Sequence, residues 1–390
     1  MTTEAERPDA PALADRAASW RGVYLHVPFC RRVCPYCDFA VIAGADHLRD
    51  RYVAALQAEI AMVPPLPGPV DAVAFGGGTP SRLSAADLAR LLETLASWSG
   101  IAAGAEVSLE ANPEDCDRRM LADLAAAGFT RLSLGAQSFD PEVLAELGRC
   151  HRPDDTRAAV AAAREAGFAS VSIDLIFGSP VETSASWEGS VAAALECGVD
   201  HLSTYALTVE RGTPLSRAVA AGAPGPDPDR QAERYEWMLE AVEGAGLVRY
   251  ETSNHARPGH ACRYNLLTWA QGEYEGFGAG AHRHRDRDRA WNVRRVDRYL
   301  DRVEAGTRPE SGGERLEGGE RDRERVLLGL RRAGGVVPGE SGGRLLASPP
   351  GRRLQEAGVL AVRGGRLVVT RPLLGDEVSR ALLALTMPEC

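Results

Sequence analysis

Cys30, Cys34 and Cys37 stand as Cys-x3-Cys-x2-Cys in the run Cys30-Arg-Arg-Val-Cys34-Pro-Tyr-Cys37. A cubane 4Fe-4S cluster takes four thiolates. Three from one loop leave the fourth iron open, and a small molecule carrying an amine and a carboxylate can chelate it. S-adenosylmethionine is such a molecule. The competing reading is a structural zinc site or three unrelated thiols. Zinc motifs usually join two Cys-x2-Cys pairs, or one pair with histidines, and no second pair occurs here. Cys116, Cys150, Cys197, Cys262 and Cys390 are scattered, which is no disulfide framework in a chain of 390 residues. A reducing, cytoplasmic compartment is expected.

Further polar residues follow the apolar runs that read as strands. Gly76-Gly77-Gly78-Thr79-Pro80 leaves one such run, where glycines let backbone amides come close to a ligand and Thr79 adds a hydroxyl. Glu110 ends the next, Gln137 follows the one after, and Asp174 lies inside a fifth. Acidic groups suit ribose hydroxyls, an ammonium and a sulfonium, while the planar fork of Arg149 suits a carboxylate. Any one of these residues alone could be a turn or a core carboxylate. Their recurrence at equivalent places describes a pocket for S-adenosylmethionine beside the open cluster.

The elements that must position these residues alternate in type. Residues 22–27, 70–75, 105–110, 130–135, 171–177 and 201–207 read as strands, with 247–252 as a seventh. Between them, residues 47–62, 85–98, 117–127, 153–166 and 229–244 read as helices, with Ser84 as an N-cap. Strand and helix in alternation predict an α/β fold, a partial (β/α)6 barrel whose chemistry collects at the C-terminal ends of its strands. Residues 1–20 are expected to be a disordered tail, 21–285 the barrel core and 286–323 a solvated linker. Residues 324–390 are expected to form a small winged-helix-like α+β module, packing or acting as a lid.

Composition closes off other classes. The net charge of −9 argues against a general nucleic-acid binder. All 45 basic residues are arginine, so a lysine Schiff base and a phosphate-loop lysine are excluded. The N-terminus lacks the pattern of a signal peptide, and no apolar run reaches the roughly 18 residues of a membrane span.

With these motifs in order, the chain resembles the radical S-adenosylmethionine superfamily, in the branch holding oxygen-independent coproporphyrinogen III dehydrogenase and the HemW-type haem chaperones. The resemblance rests on Tyr24-Leu-His-Val-Pro-Phe-Cys30, Gly76 to Pro80, Gly135-Ala-Gln-Ser-Phe139, Leu147-Gly-Arg-Cys-His151 and Asp174-Leu-Ile-Phe-Gly178. It implies that Tyr24, Gly77, Gly78, Thr79, Glu110, Gln137, Arg149 and Asp174 contact S-adenosylmethionine and that Tyr36 packs on its adenine. The dehydrogenase typically has a further cysteine two positions after the third. Phe39 stands there in this chain, in the Cys-Asp-Phe order typical of the chaperones.

The chaperone resemblance implies haem as a bound partner and a membrane-bound respiratory acceptor reached by peripheral contact at most; the acidic charge leaves no nucleic acid among the expected partners. The alternative is a dehydrogenase or another radical oxidoreductase. The branch's His-Asn-x-x-Tyr-Trp segment, implicated in haem binding, reads Tyr264-Asn265-Leu-Leu-Thr268-Trp269 here. Tyr264 is thus a candidate ligand of ferric haem through its phenolate. His255, His260, His282, His284 and Cys262 are either further candidates or residues of a solvated loop.

Overall fold

The computed structural model describes residues 11–385; the first ten residues of the expected tail and Cys390 lie outside them. Six strands run parallel and adjacent in chain order: β1 (Arg21–Val27), β2 (Val70–Gly77), β3 (Ile101–Ala111), β4 (Arg131–Gln137), β5 (Ser170–Phe177) and β6 (His201–Ala206). Helices Arg49–Met62, Ala85–Ser99, Arg118–Ala126, Pro153–Ala166 and Ser184–Glu196 make the crossovers. Parallel strands are covered on both faces, so they read as near-continuous apolar runs. In β5 only Asp174 escapes full burial. Helix starts follow the expected chemistry: Ser84 Oγ accepts the Asp87 amide at 3.1 Å, and Asp117 the Met120 amide at 2.8 Å. This is the expected partial (β/α)6 barrel.

The seventh parallel strand comes from elsewhere than residues 247–252. There, β7 (Val248–Arg249) pairs antiparallel with β8 (Asn254–Ala256), which pairs antiparallel with β6. The true seventh is β9 (Glu273–Phe277), which returns to the other side of β1 and lies parallel to it. From β9 the sheet continues antiparallel through β10 (His282–Arg285), β11 (Asp288–Asn292) and β12 (Glu310–Arg315), twelve strands in all. Close approach makes Gly276 obligatory in β9, because a Cβ there would lie 1.9 Å from the His282 carbonyl oxygen. Gly276→Ala should therefore destabilise the protein by about 1–3 kcal/mol. The urea midpoint measures this, and an unchanged midpoint would show that the β9–β10 turn yields.

Two expected boundaries need correction. Residues 286–323 are not a linker but β11, helix Val296–Glu304, β12 and the start of helix Gly318–Gly329. Val296, Tyr299, Leu300 and Val303 recur on one helix face and enter the main core, and the Tyr299 hydroxyl donates to buried Glu59 at 2.7 Å. Glu59 also takes the Gly278 amide at 2.8 Å and Asn292 Nδ2 at 2.6 Å. Its carboxyl is pushed up to about 7 by burial. In the expected tail, Pro11–Ala17 is a helix whose Leu13 and Ala17 pack with Trp20, Leu266 and Leu267. Its alanines favour the helix, and the apolar face supplies the packing.

A second core, including Val326, Leu345, Leu360, Leu367 and Leu382, joins four helices to the hairpin β13 (Leu360–Arg363) and β14 (Arg366–Val369). Helices and one antiparallel hairpin make this unit α+β. Among the described residues, no helix is long and apolar enough to cross a membrane.

Candidate cofactor site

The loop after β1 is pinned at both ends. Phe29–Cys30 pairs with Ile42–Ala43 in a short parallel ladder, and His26 Nε2 donates to the Ala40 carbonyl at 2.8 Å. That bond fixes the tautomer, so Nδ1 accepts from the Tyr24 hydroxyl at 3.3 Å. Burial lowers the imidazole's pKa and keeps it neutral.

Each glycine of the triplet is required for its own reason. A Cβ at Gly76 would meet the Glu110 carboxylate at 2.9 Å, and one at Gly77 would meet the His26 ring at 2.5 Å, where φ is also +110°. At Gly78 it would lie 2.7 Å from the Pro28 carbonyl carbon and 3.0 Å from Cys30 Sγ. The chain can pass between the cysteine loop and the strand ends only without side chains.

Cys30, Cys34 and Cys37 line one cavity of about 500 Å³ at the C-terminal ends of the strands. Tyr36, Gly77, Gly78, Thr79, Glu110, Gln137, Arg149 and Asp174 line it with them. Tyr24 does not: it lines a second cavity of about 570 Å³ that shares Asp38, Phe39, Gly77 and Glu110 with the first. The spacing of Tyr24 along β1 could not reveal which side of the shared wall it occupies.

The first cavity is polarised. Thr79 Oγ1 approaches Cys30 Sγ at 3.7 Å, and Arg149 Nη1 approaches Cys34 Sγ at 3.5 Å. Burial pushes the Cys30 thiol up to about 11 and raises Cys37. These thiols hold their protons until a metal displaces them. No three His, Cys, Asp or Glu side chains among the described residues converge on a single-ion site. A cubane binds each thiolate at a different iron, so its ligands need no such convergence. Arg149 is itself fixed by the Asn112 side chain at 2.5 Å and the Gly135 carbonyl at 2.7 Å.

Two carboxylates line the same cavity. Glu110 accepts the Gly77 amide at 3.2 Å, and its pKa is pushed up to about 7 by burial and by Asp174. Asp174 takes the Ser133 hydroxyl at 3.0 Å, and burial raises its pKa too. Gln137 sits in the left-handed region at φ +67°, and its buried Oε1 has no partner. Strain and an orphaned acceptor at a cavity wall mark a place where a ligand donates. Tyr36 packs with Ile176 and Leu207, an apolar surface suited to a flat base. An anionic wall, a guanidinium beside the thiols and an apolar slot fit S-adenosylmethionine on a 4Fe-4S cluster.

Sequence reasoning missed Asn112, Ser133 and Tyr205 on this wall. Asn112 had a signal, since it follows Glu110 by two residues and precedes Pro113 at the strand end. Tyr264 needs correction: its ring stacks on Tyr24 at 6.0 Å and meets Tyr274 at 5.9 Å. Burial, with Tyr274 and Tyr24, holds its phenol well above the usual range, so the ring stands in the wall of the second cavity as a neutral phenol. His255 and His284 are strand residues in the interior rather than parts of a solvated loop.

The radical SAM superfamily model matches residues 24–194. The chain is 42% identical over 389 residues to the heme chaperone HemW of Mycobacterium tuberculosis, covering 96% of this chain and 98% of that one. Against the heme chaperone HemW of Bacillus subtilis it is 33% identical, covering 93% and 99%. Among solved structures, coproporphyrinogen III oxidase (HemN) from Escherichia coli aligns with a TM-score of 0.79 at 24% identity, over 95% of this chain and 92% of that one. The last likeness speaks for the fold alone. Similarity to the HemW proteins over nearly the whole length of both chains, joined to the three-cysteine cavity, makes this chain a member of the HemW family of the radical SAM superfamily.

Proposed function

We propose that this protein is a haem chaperone, holding a 4Fe-4S cluster and S-adenosylmethionine in the first cavity while carrying haem to a membrane-bound respiratory acceptor from the cytoplasm. The observation that carries the reading is the full-length likeness to heme chaperones. Cys30, Cys34 and Cys37 would hold the cluster, and Arg149 would offset the charge of the thiolates. Glu110 and Asp174 would face the sulfonium and the ribose, Gly77, Gly78, Thr79 and Gln137 would bound the ligand, and Tyr36 would cover the base. Tyr24 would act through His26 and the second cavity rather than on the nucleotide. When bound, the cluster supplies an electron that can reduce a sulfonium. The C-terminal unit begins in this reading with helix Gly318–Gly329, six residues before the expected boundary, and residues 318–385 have their own core.

Phe39 supports the chaperone over the dehydrogenase. It is 64% exposed and borders both cavities, where the dehydrogenase pattern would put a thiol. Haem titration of the anaerobically reconstituted protein should give saturable binding by absorption, with no conversion of coproporphyrinogen III under reducing conditions. Absent haem binding, or turnover of the porphyrinogen, would overturn the reading.

A further inference from the structure

We propose that His282 is the side chain that ligates the iron of a haem seated in the second cavity. This rests on the haem-binding reading above and names the residue that carries it.

The cavity, at about 570 Å³, falls in the range of about 300–1,000 Å³ that small-molecule sites occupy. Its walls are aromatic: Tyr24, Tyr264 and Tyr274 form one contiguous cluster of rings, and Trp291 lies across from β10. The Trp291 indole is seated over Gly312, where a Cβ would come within 2.7 Å of it. Flat apolar walls suit a planar macrocycle. Exposed Arg294 lines the cavity with one arm donating to the Asp38 carbonyl, and the rest of its guanidinium is a partner for the carboxylates of a porphyrin.

Two imidazoles face this space. Both nitrogens of His26 are occupied, by Ala40 and Tyr24. The His282 side chain makes no hydrogen bond among the described residues, is exposed, and is held by ring contact with Trp291 at 5.8 Å and 30°. Partial burial, Arg289 and Arg294 lower its pKa, so a ring nitrogen offers its lone pair at neutral pH. Coordination then forms one N–Fe bond and releases one iron-bound water, with no proton or electron transferred. The other candidates fail on placement. Cys262 does not line the cavity and its thiol is pushed up to about 12 by burial, and His255 and His284 are enclosed in the sheet. Tyr264 lines the cavity as a protonated ring and supplies wall rather than ligand.

Ferric haem titrated into the full chain should give the Soret and visible bands of imidazole-ligated iron. His282→Ala should remove those bands and weaken binding at least tenfold, with free imidazole restoring the bands. His282→Tyr should change the spectrum to that of a phenolate ligand, which a misfolded variant would not do. A His282→Ala protein with the parent's spectrum and affinity would overturn the assignment, as would loss of the bands in Tyr264→Phe but not in His282→Ala. Failure of the parent itself to bind haem would overturn the chaperone reading instead.

Discussion

Replacing Cys30, Cys34 and Cys37 together with alanine should leave a folded protein that carries no cluster. The three thiols line one cavity and come from one loop pinned by its own ladder and by His26. Those holds are bonds of the polypeptide itself, so loss of the cluster should spare the barrel. Among the other described cysteines, Cys116, Cys150, Cys197 and Cys262 lie outside this cavity and offer no replacement. Iron and sulfide analysis after anaerobic reconstitution should fall to background, while far-ultraviolet circular dichroism stays as in the parent. Wild-type iron and sulfide in the triple variant would remove these residues as ligands.

Glu110→Ala should weaken S-adenosylmethionine binding by about 1.5–3 kcal/mol, roughly ten- to a hundredfold, as expected for a lost hydrogen bond to a charged group. The pH dependence gives a sharper test. Because the carboxyl is raised to about 7, it is largely protonated at pH 6 and largely charged at pH 8. A cationic ligand favours the charged form, so the parent's affinity should rise across that interval. Glu110→Gln keeps the shape without the titration and should flatten the rise. Calorimetry at equal cluster loading measures both, and equal affinities with equal slopes would remove Glu110 from the site.

Much of this was legible because parallel strands announce themselves as apolar runs and the chemistry sits where they end. Asp174 stood out as the polar residue inside such a run, and Glu110 and Gln137 as residues at the ends of others. What escaped notice depends on tertiary contact. Glu310–Arg315 has a composition poor for a strand, yet pairing with β11 and the fit of Trp291 over Gly312 make it one. Helix Val296–Glu304 was readable from four apolar residues at i, i+3, i+4 and i+7, but the surrounding charges disguised it. Tyr24 illustrates a different limit: its strand was correct, but its cavity depends on β9 returning beside β1, a long-range pairing that spacing cannot express.

Gly77 and Glu110 each present one surface to the cysteine cavity and another to its neighbour. A partition with two faces cannot be altered from one side. Substitution at Gly77, Glu110, Asp38 or Phe39 touches two compartments together, so overall activity there does not tell them apart and binding in each must be measured. Asp174 and His282 each border a single compartment, and paired changes at those two positions separate the chambers. If filling one chamber strengthens binding in the other, thermodynamics demands the same factor in return.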